Sequence, residues 1–435
     1  MNPQFRNLLL AIAMLLPILA SATASNAVST ATTLLDRLDA GKFDDAVAEF
    51  SPEMKAAVPA EKLQQVWASL PAQFGKGTGR GQAEVSEQGS ATLVQILLHY
   101  AHGELVAKVA LGADGKIIGF LIQPAPPPAA PAPAADAGYR EIDFAVGDGD
   151  TALPGTLALP KGDGPFPAVV LVHGSGPQDR DEAIGANRPF LDIARGLAEH
   201  GIAVLRYEKR TKVRPQDYAD GKYTVDDETT NDAVAAVAAM SKAPSIDPKR
   251  IYVLGHSQGG LMAPRIAARS GHVAGMIFLA APARPILDLL SEQNHYLAKL
   301  DGNVSPDEQK FLDDLDHRIA RIRSGAEIPV TDTPMNLPAA YWRSVDSVDP
   351  IAEAKPLRQP MLLLQGGRDM QVVDADWQRW QSAYGHNSRA TFKHYPSLNH
   401  LAIAGTGPST VAEYNMPGHV DATLIADVAA WINAH

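Results

Sequence analysis

The chain has 435 residues, 46% of them hydrophobic and 20% charged, with a formal charge of -11 and a sequence pI near 5.6. That length exceeds one ordinary hydrophobic core, so two domains are expected, and an acidic balance without any Lys/Arg block excludes nucleic acid as a partner. Cysteine is absent, which excludes thiol nucleophiles, cysteine-ligated zinc and disulfides.

Arg6, the apolar run Leu8 to Ala20 and the small residues Ala22-Thr23-Ala24 form an n-region, an h-region and a cleavage site, predicting a signal peptide over 1–24. The alternative is an uncleaved anchor, but the run is shorter than the roughly 20 residues that a spanning helix needs. No later run reaches that length. The expectation is therefore a periplasmic or secreted protein without stable membrane insertion after signal cleavage.

Leu34, Leu35, Leu38, Phe43, Val47 and Phe50 recur at helical intervals, and Leu63, Val66 and Trp67 suggest a second helix. Leu93 to Leu98 reads as a strand, and the Ala107-Val109-Leu111 alternation meets Ile117 to Phe120 across Asp114-Gly115, a tight-hairpin dipeptide. Residues 28–123 thus form a small α+β domain, helices first and an antiparallel sheet after. His99 and His102 stand near a strand end, where two histidines without a third ligand make no metal site. From 124 to 137 the sequence collapses to Pro and Ala, a semi-rigid linker that cannot build a core.

Residues 138–435 change pattern. Val169–Val172, Ile202–Leu205, Ile251–Leu254, Met276–Leu279 and Met361–Leu364 are short continuous apolar runs, as expected of strands covered by helices on both faces. Helices are predicted between them at Pro189–His200, Thr229–Lys242 and Gly260–Ser270, each followed by Gly or Pro. Alternation of this kind implies an α/β domain with a doubly wound, mostly parallel sheet. Tyr139–Val146 and Thr156–Leu159 suggest an antiparallel start. Between Pro282 and Gln359 the alternation stops, and Ser305-Pro306-Asp307-Glu308 is a capping box opening a helix with Phe311, Leu312, Leu315, Ile319 and Ile322 on one face. A helical cap over about 283–350 is predicted.

The chemistry centres on Gly255-His256-Ser257-Gln258-Gly259, placed directly after a predicted strand and before a predicted helix. A serine on so sharp a turn is strained and needs small neighbours, and the helix N-terminus behind it favours developing negative charge. Ser257 is the candidate nucleophile. A serine hydroxyl needs a base within reach. His256 should point away across the turn and bond locally, so His400, in a loop after the strand-like run Ala390–Tyr395, is the candidate base. His394 and His419 read as structural. Asp369 follows the last strong strand and is the candidate acid; Asp374 and Asp376 compete, although they open a helix, where N-capping suits them. The backbone N–H groups of Gln258 and Ser175, in His173-Gly174-Ser175-Gly176, are the expected oxyanion donors. Next in that loop, Arg180 either grips a substrate carboxylate or joins an ion-pair network with Asp179, Asp181 and Glu182. Tyr341 and Trp342 either line an acyl pocket or pack the cap on the body. No metal or cofactor is called for.

Together these residues resemble the α/β-hydrolase superfamily, near its dienelactone-hydrolase-like and serine-aminopeptidase-like esterase branches, over roughly 138–435. The strand end Arg206-Tyr207-Glu208-Lys209-Arg210 is also similar to such proteins. Because the candidate nucleophile is serine, true dienelactone hydrolase chemistry, which uses cysteine, is not implied. Residues 28–123 resemble a small uncharacterised domain that precedes some exported hydrolases, which supplies no activity. The resemblance implies a carboxylesterase acting through an acyl-enzyme on a small-molecule ester. An exopeptidase using Asp179, Asp181 and Glu182 to hold an amino terminus, a thioesterase, and a non-catalytic envelope-binding scaffold are the alternatives.

Overall fold

The structure is a computed structural model that describes residues 24–88, 90–101, 103–125 and 130–435. All of the expected signal peptide but Ala24, together with His102 and part of the Pro/Ala segment, lies outside the described residues. The chain divides into two compact units, Met1–Pro127 and Pro128–His435.

In the first unit, helices Ala24–Asp39, Phe43–Ala48, Pro52–Ala57 and Ala60–Phe74 precede a four-stranded antiparallel sheet. Its strands, in chain and spatial order, are β1 (Gly77–Gln88), β2 (Ala91–Tyr100), β3 (Gly103–Leu111) and β4 (Ile117–Pro124). The apolar spacing from Leu34 to Phe50 is not one helix. Gly41, with φ of 70°, breaks it, because glycine takes left-handed backbone without a Cβ penalty. Leu34, Leu38, Phe50, Val94 and Val109 are buried in one core. Strand β1 has no sequence signature, since Gly77-Thr78-Gly79-Arg80-Gly81 shows no alternation. Its pairing with β2, irregular at Gly77/Gly79 and Arg80/Ala83, specifies it instead.

The second unit holds an eight-stranded sheet: β5 (Tyr139–Asp143), β6 (Gly155–Pro160), β7 (Phe166–Val172), β8 (Ala203–Tyr207), β9 (Ile246–His256), β10 (Val273–Leu279), β11 (Met361–Gly366) and β12 (Ala390–Tyr395). The spatial order is β12-β11-β10-β9-β7-β8-β6-β5. Every neighbouring pair from β8 through β7 to β12 is parallel, and β6 runs antiparallel to both β5 and β8. Alternate residues of each central strand enter different cores. Ile251 and Val253 of β9 join one, with helices Asn231–Met240 and Gln258–Ser270; Tyr252 and Leu254 join the other, with helices Pro189–Glu199 and Ala422–Ala434. Burial on both faces is why these strands read as unbroken apolar runs.

Strand β7 lies between β8 and β9, so the chain reverses direction across the sheet at β7/β9. Ligand sites of open α/β sheets lie outside the carboxyl ends of strands at such a switch point. Between β10 and β11, helices Ile286–Ala298, Pro306–Arg323, Ala339–Asp346 and Pro350–Ala354 form the inserted segment. The Ser305/Glu308 capping box closes reciprocally at the start of the second. Among the described residues no helix is long and apolar enough to cross a membrane, and no cluster of three or more His, Asp or Glu is placed to hold a metal.

Leu254 is fully buried in β9. Leu254→Ala is expected to cost about 2–5 kcal/mol of unfolding free energy, read from the urea midpoint of the second unit's transition.

Candidate active site

Ser257 sits between the last residue of β9 and helix Gln258–Ser270 with φ 52° and ψ -120°. A left-handed φ is costly for serine and persists only where its surroundings over-determine it. The Ser257 N–H donates to the Leu279 carbonyl of β10 at 2.9 Å, and the flanking glycines let the turn close. A Cβ on Gly259 would overlap the Val172 carbonyl at the end of β7, one on Gly255 would overlap Gly259, and one on Gly260 would lie 2.6 Å from the Ala281 Cβ. The loop after β7 also comes near, since a Cβ on Gly174 would stand 3.3 Å from the Ser257 Cβ.

Asp369 follows β11 and His400 follows β12. His400 Nδ1 and Asp369 Oδ2 are 2.8 Å apart, with the Asp369 carboxylate wholly buried. Its other oxygen accepts the Gln371 and Val372 N–H groups at 2.8 and 2.9 Å, so the carboxylate is held in place from the backbone. Asp376 does something else: fully buried, it accepts the Ala283 N–H at 2.8 Å and pairs with Arg284. Neither it nor Asp374 caps the helix Asp374–Tyr384, whose N-cap is Val373. His394 lies within β12 beside Trp377, and the exposed His419 pairs with Asp192.

The family described as serine aminopeptidase, S33, matches residues 165–404, which include this entire arrangement. The chain belongs to that family. Residues 31–120 match a second family, described only as a protein of unknown function (DUF3887). The esterase EstD of Thermotoga maritima is 36% identical over 400 residues, covering 92% of this chain and 93% of that protein. A putative esterase, NocK, of Nocardia uniformis is 29% identical over 34% of this chain and 47% of its own length. Among solved structures, Est1E from Butyrivibrio proteoclasticus superposes with a TM-score of 0.44 at 17% identity, over 67% of this chain and 99% of that one.

Sequence reasoning expected His256 to bond locally, but within this family member it bridges three segments. Its Nδ1 lies 2.8 Å from Glu182 Oε2 and its Nε2 lies 2.9 Å from the His400 carbonyl, all buried. A carbonyl only accepts, so Nε2 carries a proton. Glu182, which only the exopeptidase alternative turns towards a ligand, is fully buried and also accepts the Gly174 N–H at 2.6 Å. Burial alone would raise the Glu182 pKa and lower that of His256. Their mutual attraction and hydrogen bond outweigh it, so Glu182 is lowered and His256 raised, as a carboxylate–imidazolium pair. His173, packed against Phe190 and Tyr207, is pushed down to about 4 by burial and is neutral.

The weaker candidates are drawn into contacts of their own. Arg180 donates to Glu208 at 2.6 Å and to Thr156 at 2.8 Å, so it is in an ion pair, but with a carboxylate just after β8 and not with the expected acids of its own loop. Asp181 pairs with Arg206 and Arg188, and Asp179 accepts the Asp181 and Ala183 N–H groups. Trp342 is buried and donates to the Pro334 carbonyl at 3.1 Å. Tyr341, also buried, donates to Glu228 Oε2 at 2.7 Å. The side chain of Gln258 donates to the same carboxylate at 2.9 Å, and Lys209 Nζ lies 3.0 Å from its other oxygen. Glu228 stands in a single turn of π-helix, Asp226–Thr230, a distortion frequent at functional sites. Lys209 and Glu228 escaped sequence reading as site residues because a charge at a strand end or helix start usually meets solvent. The available signal was Lys209 two positions behind the buried run Ala203–Tyr207.

The Glu182–His256 pair gives a signed pH dependence. A lowered carboxylate stabilises above its ordinary value of 4.5, and a raised imidazole stabilises below its ordinary value of 6.5. Stability lost in His256→Gln is therefore expected to be largest between pH 4.5 and 6.5. It should shrink towards pH 9, as His256 loses its second proton above its ordinary value. Urea denaturation of both proteins across that range measures it.

Proposed function

We propose that the second unit hydrolyses carboxylic esters of small molecules through an acyl-enzyme, with Ser257 as nucleophile, His400 as general base and Asp369 as the acid that orients it. The observation that carries this reading is the buried 2.8 Å His400–Asp369 bond, together with a strained serine at a helix N-terminus whose neighbour His256 is hydrogen-bonded to the His400 carbonyl. Asp369 accepts from Nδ1, which leaves the Nε2 lone pair to take the Ser257 proton as Oγ bonds to the ester carbon. The carbonyl oxygen becomes an oxyanion held by the N–H groups of Gln258 and Ser175. As the carbon–oxygen bond to the alcohol breaks, His400 returns its proton to the leaving alkoxide. Water, deprotonated by the same imidazole, then attacks the acyl-enzyme and frees acid and serine. No step calls for a metal or cofactor.

Ester rather than peptide cleavage is favoured by the acids of the 179–182 loop. An aminopeptidase needs carboxylates free to bind a cationic amino terminus. Here Asp181 is paired with arginines, Asp179 holds backbone amides and Glu182 is buried against His256. The name of the Thermotoga maritima relative, an esterase matched along nearly its whole length, points the same way.

Short-chain nitrophenyl esters should be cleaved at least about 10^2-fold faster in kcat/KM than unblocked aminoacyl anilides, about 2.7 kcal/mol. Ser257→Ala should fold and lose a factor on the order of 10^4 in ester turnover, together with fluorophosphonate labelling. Preference for the anilides, or labelling away from Ser257, would replace this reading. Residues 1–24 are proposed to direct export, so protein recovered from the periplasm or medium should begin at Ser25 on N-terminal sequencing. A retained Met1 would make the segment an uncleaved anchor.

A further inference from the structure

Gly174 is held at both of its backbone groups. Its N–H donates to Glu182 at 2.6 Å and its carbonyl accepts from Lys209 Nζ at 2.7 Å. In a planar trans peptide, the C=O of one residue and the N–H of the next point in opposite directions. Fixing the Gly174 carbonyl on Lys209 therefore fixes the direction of the Ser175 N–H, away from the ammonium. Lys209 is almost wholly buried, and its charge is matched by Glu228 at 3.0 Å, itself buried. The second oxygen of Glu228 holds the side chain of Gln258, whose backbone N–H is the other proposed oxyanion donor. It also takes the hydroxyl of Tyr341, which burial keeps protonated by raising its pKa. One ion pair thus touches the residues behind both donors and one helix of the cap.

We propose that Lys209 is a positioning residue of the oxyanion hole, aiming the Ser175 N–H through the Gly174 carbonyl and holding it in register with Gln258 through Glu228. This rests on the serine hydrolase reading above and assigns to Lys209 no contact with substrate. A mis-aimed donor costs transition-state stabilisation while leaving ground-state binding largely intact.

The test uses the full chain, a nitrophenyl butyrate and an alkyl trifluoromethyl ketone. In the ketone adduct the Ser257 oxygen bonds to the carbonyl carbon, its proton passes to His400 and the carbonyl oxygen becomes an oxyanion. Lys209→Met is expected to lower kcat by about 10^2-fold, to change KM less than about threefold, and to weaken the ketone by the same factor as kcat. That variant leaves Glu228 buried without its partner, so Lys209→Met/Glu228→Gln is measured alongside it. The double variant should fold, judged by its near-ultraviolet circular dichroism, and keep the loss. Wild-type kcat and ketone affinity in the folded double variant would overturn the proposal, as would a loss confined to KM or to thermal stability. A wild-type chain that neither turns over esters nor binds the ketone overturns the hydrolase reading, and this one with it, before any variant is compared.

Discussion

The second unit depends on one close crossing, where the turn around Ser257 is pressed against the last residues of β7. Any side chain at Gly259 would run into the Val172 carbonyl. The turn has no room to relax, and that confinement keeps Ser257 at a positive φ at a cost of about 1–3 kcal/mol. The same crossing brings the loop after β7 against the serine, so Gly174 and Ser257, some eighty residues apart in the chain, lie side by side. Parallel strands then deliver the remaining groups. Asp369 and His400 leave the carboxyl ends of β11 and β12, on the edge of the sheet where β7 and β9 also end.

Around that crossing, several charges lie out of water. Glu182 faces His256, and Lys209 faces Glu228. Buried ion pairs are poor sources of stability, because the cost of desolvation offsets most of the attraction. They are stringent about geometry, however, since in a weakly screened interior a displaced partner leaves a charge unmatched. At this site each pair also binds a backbone group or side chain next to a proposed reacting residue: the Gly174 amide, the His400 carbonyl, the Gly174 carbonyl and the Gln258 amide side chain. Their arrangement suits holding a site still rather than holding the fold together.

What the sequence discloses follows from how local each feature is. The runs at Val169–Val172 and Ile251–Leu254 announce strands because two helical layers cover them, and Gly255 to Gly259 announces its turn because the crowding is written in the glycines themselves. Strand β1 was invisible, since its pairing with β2 and not its own residues makes it a strand. The spacing through Phe50 concealed a break, although the five-residue step from Leu38 to Phe43 across Gly41 exceeds the three or four of a helical face. Asp369 was legible from its place after β11, whereas the work of Asp376 was not, because its partners Ala283 and Arg284 are about ninety positions away. Glu182, His256, Lys209 and Glu228 share that difficulty. Their partners are set only in three dimensions, Glu182 and His256 lying 74 positions apart and Lys209 and Glu228 about twenty, so neither pair is written in a local pattern.

The inserted segment leaves after β10 and returns at β11, which are hydrogen-bonded neighbours in parallel register. Because the two strands are parallel, the segment leaves at the carboxyl end of β10 and must cross back to the amino end of β11, so the sheet fixes where the crossover begins and ends but not how much chain lies between. Such a joint invites wholesale replacement during divergence, with new helices bringing new walls for different acids and alcohols. The hydroxyl of Tyr341 on Glu228 is a restraint on that freedom. A lineage exchanging its lid can vary length, helix number and apolar character widely, yet a replacement that supplies no donor there takes one hydrogen bond from a buried carboxylate. Among descendants of such a chain, a lid tyrosine or a substitute donor should outlast most of the sequence around it.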